Sequence, residues 1–127
     1  MPPASPRTAL LLIAHGSRRP DANADLDHLV GQLRERGRFP IVEASFLELV
    51  EPTVEEGAAR CVEQGVERLV LVPYFLSAGV HVQRDLAALR DAVGRRYPRV
   101  EVRLAEPLGR HPLLVEVVSQ RADEANA

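Results

Sequence analysis

Four short apolar runs, each followed by a stretch with helical spacing, constrain this chain more than any other feature. The first run ends Leu10-Leu11-Leu12-Ile13-Ala14 and meets His15-Gly16-Ser17-Arg18-Arg19. A strand that is apolar on both sides belongs in a parallel sheet covered by helices. Ligands of such sheets bind in the crevice at the carboxyl ends of the strands. His15 therefore stands where function is expected, beside a glycine joint and concentrated positive charge.

The pattern repeats along the chain. Thr8 to Ala14 reads as the first strand. From Asp21 to Arg36, Leu26, Leu29, Val30 and Leu33 recur at helical spacing, with Asp21 as cap and Gly37 as stop. Pro40 to Phe46 gives a second strand. After the loop Leu47 to Glu51, Pro52 is expected at or near the first turn of a second helix. Val54, Ala58 and Cys61 share a face of that helix, and Gly65 ends it. Glu67 to Tyr74 contains the third strand, closed by Pro73. Val82, Leu86, Leu89 and Val93 then line a third helix, stopped before Pro98. Arg99 to Ala105 alternates and reads as a half-exposed edge strand. Pro107 to His111 forms a loop, and Leu114, Val117 and Val118 open a last helix that fades into a polar tail, Arg121 to Ala127.

Strand and helix in strict alternation imply right-handed crossovers and a single three-layer α/β domain. We expect a four-stranded parallel sheet flanked by helices, flavodoxin-like in its winding, over residues 8–127, preceded by a flexible tail at residues 1–7. The length of 127 residues fits one domain with one core. A net charge of −2 leaves no footprint for nucleic acid or an anionic membrane. No stretch is long enough to span a bilayer, and the proline-rich start lacks a signal peptide's apolar region. All 16 basic side chains are arginine, which grips carboxylates bidentately. The lone Cys61 can form no internal disulfide, and points to a reducing, cytoplasmic setting. Its place on an apolar helix face makes it core filler rather than a reactive thiol.

The candidate chemistry falls on the strand-to-helix loops: His15 after the first strand, Glu48 after the second, His81 after the third and His111 after the last. In a parallel sheet these loops share one edge, where imidazoles and a carboxylate can bind a divalent metal or move protons near neutral pH. Their separation in sequence is too large for a local metal motif, so they converge only if the fold is as expected. His28 serves as a control, because its helical phase turns it to solvent. His111, ahead of Pro112 at a helix start, reads as packing or capping.

At these residues the chain resembles a known family. Leu12-Ile13-Ala14-His15-Gly16-Ser17-Arg18 with Ser45-Phe46-Leu47-Glu48, then Pro73-Tyr74-Phe75-Leu76-Ser77-Ala78-Gly79-Val80-His81 and Asp85, are similar to the short CbiX/SirB type of class II chelatase. The likeness runs from the first strand to Leu108-Gly109-Arg110-His111-Pro112. It implies an enzyme that inserts a divalent metal into sirohydrochlorin, on the cobalamin route with Co²⁺ or toward sirohaem with Fe²⁺; Ni²⁺ is a further candidate. Cobalt is the expected metal on family grounds alone.

The resemblance also implies roles. His15 and His81 become the catalytic pair and the metal ligands, with Glu48 the associated carboxylate. Insertion removes two pyrrole protons while a cation reaches the ring nitrogens, and imidazoles suit both tasks. Phe75, Leu76, Ala78 and Val80 are expected to give the ring an apolar floor, with Gly79 letting the backbone come close. Arg18, Arg19 and Arg84 are candidates for the substrate's carboxylates, followed by Ser17 and the amides of Ser77 to Val80. The metal is then a substrate, with no permanently bound cofactor. Short members resemble half of a two-lobed chelatase, which implies a homodimer.

Two other classes compete. A histidine phosphatase also has histidine-glycine after a strand, but it wants an arginine just before the histidine, where this chain has Ala14. A non-catalytic metal carrier would use the same histidines as ligands without turning over a tetrapyrrole.

Overall fold

The computed structural model describes residues 6–127. The elements alternate as β1 (Thr8–Ala14), α1 (Pro20–Arg36), β2 (Ile41–Phe46), α2 (Val54–Glu63), β3 (Arg68–Pro73), α3 (Val80–Arg96), β4 (Glu101–Leu104) and α4 (Leu113–Asn126). The strands form one parallel sheet in the order β2-β1-β3-β4. The chain therefore steps from β1 to β2, then returns across β1 to β3. That reversal puts the switch point of the sheet between β1 and β3.

Burial follows this placement. Central β1 is apolar on both faces because helices cover both. Ala9, Leu11 and Ile13 join Leu69, Leu71, Ala58, Cys61, Leu86 and Val93 in a core beneath α2 and α3. Leu10 and Leu12 turn the other way, toward Leu26 and Val30 of α1. Edge strand β4 alternates as expected, with Val102 and Leu104 half-buried and Glu101 and Arg103 exposed. Glu101 accepts from both Arg68 and Arg103, at 2.6 and 2.9 Å, which holds its carboxyl below the usual range. Cys61 is fully buried, and desolvation, seconded by the nearby Glu43 charge, pushes its thiol up to about 12. It is core filler.

Four local expectations change. Asp21 does not cap α1: Arg19 occupies the cap position, Pro20 takes the first turn, and Asp21 follows within it, favourable to the helix dipole. Pro52 lies outside α2, whose cap is Thr53. The Thr53 hydroxyl accepts from the Glu56 amide at 3.1 Å, and the Glu56 carboxylate accepts from the Thr53 amide at 2.8 Å. This reciprocal capping box was legible as Thr-x-x-Glu, and it outcompetes the proline signal. The segment Arg121 to Ala127 is no tail, since α4 continues to Asn126 and Arg121 pairs with Glu124 at 3.1 Å. His81 belongs to the first turn of α3 rather than to the loop before it.

At the amino end, residues 1–5 of the expected tail lie outside the described residues. Pro6 and Arg7 are already tied to the domain. Thr8 Oγ1 donates to the Pro6 carbonyl at 2.7 Å, and Arg7 Nε donates to that of Gly65 at 2.6 Å.

Candidate functional site

The carboxyl ends of β1 and β2 are joined beyond their last residues. The Leu47 amide donates to the Ala14 carbonyl at 2.9 Å, and the Glu48 amide donates to the His15 carbonyl at 3.1 Å. His15 and Glu48 are thereby neighbours on adjacent loops. Gly16 makes the approach possible. Its φ is +96°, and a Cβ at this position would collide with the Glu48 carbonyl oxygen. Glycine here sets a close contact; it is not merely a joint.

On the other side of β1, the Tyr74 amide donates to the Ile13 carbonyl at 2.7 Å, extending the pairing with β3. The next residue, Phe75, stacks its ring on the His15 imidazole, with centroids 4.4 Å apart and planes at 29°. This contact holds the histidine over the switch point. Phe75 thus buttresses His15, a role distinct from the expected ring floor.

A cleft of about 640 Å³ opens between this pair of loops and α3. His15, Leu47 and Glu48 form one wall. The other is a face of α3, with Val82 and then Asp85 toward the amino end, Ala88, Leu89 and Ala92 along it, and Arg95 at the far end. The small Ala88 and Ala92 leave the space. The volume lies within the range of small-molecule pockets, which runs to roughly 1,000 Å³. His81 does not line the cleft. It is exposed one turn before Asp85, on the same helical stripe as Asp85, Ala88 and Ala92. His15, Glu48 and His81 therefore all follow carboxyl ends of parallel strands, with His81 one helical turn ahead of the cleft residue Asp85. Among the described residues, no three His, Cys, Asp or Glu side chains are gathered as a closed metal site requires.

The residues expected to hold substrate stand around the cleft rather than inside it. Leu76 and Val80 are 63% and 62% exposed, and Ser77 is exposed beside them. Ala78 gives its carbonyl to Gln83 Nε2 at 2.9 Å. Gly79 is the cap position of α3, in ordinary extended backbone with open space where a side chain would be. Arg18 and Arg84 are exposed. Ser17 has structural work: its amide donates to Asn23 Oδ1 at 3.0 Å, its carbonyl accepts from Asn23 Nδ2 at 2.8 Å, and its hydroxyl accepts from the Arg19 amide at 3.1 Å. These bonds lock the loop that carries His15.

Sequence reasoning missed Arg95 as the arginine that reaches the cleft, and gave Asp85 no role. The signal was present as helical spacing from Asp85 through Ala88 and Ala92 to Arg95. His28 is exposed and does not line the cleft, as its phase indicated. His111 caps α4: its Nδ1 accepts from the Leu113 amide at 3.2 Å.

Comparison with known proteins agrees with this architecture. The chain is 35% identical over 112 residues to a sirohydrochlorin ferrochelatase of Arabidopsis thaliana, covering 88% of this chain and 50% of that protein. It is equally identical, at 35%, to a sirohydrochlorin cobaltochelatase of Methanopyrus kandleri, covering 92% and 96%. A solved structure of SirB from Bacillus subtilis with Fe³⁺ superposes with a TM-score of 0.85 at 31% identity, over 95% of this chain and 48% of that one. The chain thus spans about half the length of the Arabidopsis and Bacillus relatives, and nearly all of the Methanopyrus one. The CbiX family model matches residues 9–125, and the chain belongs to the CbiX family.

Proposed function

We propose that this protein inserts a divalent metal ion, Co²⁺ first among candidates, into sirohydrochlorin. The observation that carries the proposal is the cleft at the switch point, where His15 and Glu48 face Asp85 across a largely apolar gap. Relatives of this family bear both cobaltochelatase and ferrochelatase names, which supports the substrate more than the metal. Imidazole accepts cobalt, iron and nickel alike, and affinity order does not choose among them.

Insertion exchanges two pyrrole N–H protons for one dication. His15 Nε2 or Nδ1, without a hydrogen-bond partner among the described residues, can receive a proton or ligate the incoming cation. His81, one turn ahead of Asp85, is assigned the second ligand position. Glu48 and Asp85 supply negative charge on both walls, lowering the cost of holding the cation before it enters the ring. Leu47, Val82 and Leu89 offer apolar surface to the macrocycle, and the exposed Leu76 and Val80 extend it. Arg95 from within, with Arg18 and Arg84 outside, answer the substrate's carboxylates. The metal leaves with the product, so no resident cofactor is required.

The open arrangement favours transfer over storage. A carrier gains by saturating the ion's coordination, whereas these histidines leave positions for ring nitrogens. We assign the activity to the cytoplasm on the buried, unpaired Cys61. We also take the working form to be two copies of the chain, because relatives occur at twice its length.

Purified protein is mixed anaerobically with sirohydrochlorin and, in parallel, Co²⁺, Fe²⁺ or Ni²⁺, and insertion is followed by the change in the ring's absorption. The proposal expects a rate well above the protein-free reaction, fastest with Co²⁺, and reduced to near background by His15→Ala. Rates equal to the uncatalysed one with all three metals would overturn it in favour of a carrier. A fastest rate with Fe²⁺ or Ni²⁺ would overturn the metal alone.

A further inference from the structure

Close backbone approach is rare in this chain and is concentrated around His15. Of the eight glycines, Gly16 and Gly109 are the two at which a Cβ would run into a backbone carbonyl, that of Glu48 at the first and that of Leu76 at the second. The tight space at Gly57, by contrast, is bounded by side chains, Leu11 foremost. The non-glycine residues with positive φ among the described residues fall in the same two places. Leu49, at +70°, follows Glu48, and Arg110, at +66°, follows Gly109. Such conformations persist where the surrounding contacts over-determine them, and they cluster at functional sites. The first pair adjoins the cleft wall. The second lies in the turn after β4, to which the reaction proposed above gives no part.

That turn is tied to the cleft. Its Leu108 amide donates to the Phe75 carbonyl at 3.1 Å, and Gly109 sits against the carbonyl of the next residue, Leu76. Gly109 has no positive φ, so the space against Leu76 is what calls for glycine there. The turn is itself held at both ends, by the Ala105 amide on the Leu71 carbonyl at 2.9 Å and by the His111 amide on the Leu108 carbonyl at 3.2 Å. What it grips is the backbone of Phe75, whose ring lies on the His15 imidazole at 4.4 Å. His15 is exposed and its ring has no hydrogen-bond partner among the described residues. The torsion that turns an imidazole is soft, so its orientation is set by the ring it stacks on.

We infer that Gly109 is a positioning residue: acting through Phe75, it holds the His15 imidazole in the orientation from which it meets the metal. The inference rests on the insertion reading above and extends its machinery to the turn after β4.

One arm of the test needs no activity. The ring current of Phe75 moves the His15 Cε1–H and Cδ2–H signals upfield, and with four histidines in the chain they are assigned by single His→Ala variants. Phe75→Leu is expected to abolish that displacement and Gly109→Ala to reduce it, both leaving the His28 signals in place. In the insertion assay Gly109→Ala should lower kcat about 10-fold or more, the scale of a misplaced reacting group, while KM for the tetrapyrrole stays within about twofold. Phe75→Leu should do the same, and Phe75→Tyr should keep most of the parental kcat. Added to Phe75→Leu, Gly109→Ala should lower kcat no further, because both act along one path.

Gly109 belongs to neither core, so its variant is expected to fold. A Gly109→Ala chain that does not fold would overturn the inference in favour of a purely structural turn. Parental His15 signals in the folded variant would overturn it whatever the rates, as would a kcat loss that adds in full to that of Phe75→Leu. A parent protein that inserts no metal, with the His15 signals still moved by both variants, would overturn the insertion reading and leave the positioning of His15 standing.

Discussion

The two sides of the β1 carboxyl end are built differently. Toward β2 the backbone is pinned: two amides of the second loop donate to Ala14 and His15, Gly16 closes against Glu48, and the Thr53–Glu56 capping box ties down the next helix. Toward α3 the segment 75–80 is held by Phe75 on His15, by the Ala78 carbonyl on Gln83 Nε2 and by the start of the helix. Within it Leu76, Ser77 and Val80 face solvent. In the proposed reaction the pinned side carries the groups that meet a small ion at fixed distance. The open side carries the groups that would meet a broad flat ring. Precision is concentrated where the chemistry is smallest.

Removing the group proposed to handle the ion should have the largest effect. His15→Ala is expected to lower the insertion rate by about 100-fold or more, the scale of a lost general base. Its unfolding temperature should barely move, since His15 is exposed. A variant with near-parental rate would separate the pinned side from the chemistry.

Next comes the clamp itself. Gly16→Ala forces a side chain into the Glu48 carbonyl at a positive φ, and should cost about 1–3 kcal/mol of stability. Its rate should fall with kcat rather than KM, because Glu48 moves relative to His15. Urea titration with steady-state kinetics reads both.

The open side should respond in the other sense. Leu76→Ala and Val80→Ala are expected to raise KM for the tetrapyrrole several-fold while leaving urea midpoints within the roughly 0.5 kcal/mol typical of surface changes. An effect confined to stability would mean that these residues are packing groups.

The smallest effect concerns pH. Hydrogen bonds from Thr53 hold the Glu56 carboxyl below its ordinary value of 4.5. Its contribution is complete above that value and is lost as pH falls through the lower folded one. The stability gap between parent and Glu56→Gln should therefore be present at about pH 6 and shrink toward pH 3. A gap unchanged over that range would remove Glu56 from the pinned side.

Most of the architecture was legible because the apolar runs have two distinct periods. Doubly buried β1 reads as Leu-Leu-Leu-Ile, and the edge strand β4 alternates. Three candidate groups, His15, Glu48 and His81, could be placed on one edge from strand direction alone. What stayed hidden depends on helix phase and on partners. Asp85 and Arg95 reach the cleft only because Ala88 and Ala92 clear the space between them. Phe75 was legible as apolar, but its stacking on His15 depends on β1 and β3 being adjacent. The α4 helix is amphipathic in sequence, and nothing in its pattern says that its own sheet leaves it uncovered.

Cys61 has one more consequence. Thiolate is the soft donor that competes best for borderline and late transition ions. The chain possesses one sulfhydryl, sealed beneath α2 and kept protonated by its surroundings. On the proposed function, an ion arriving at the imidazoles meets no exposed thiol among the described residues, and delivery is spared the ligand that would turn it into retention.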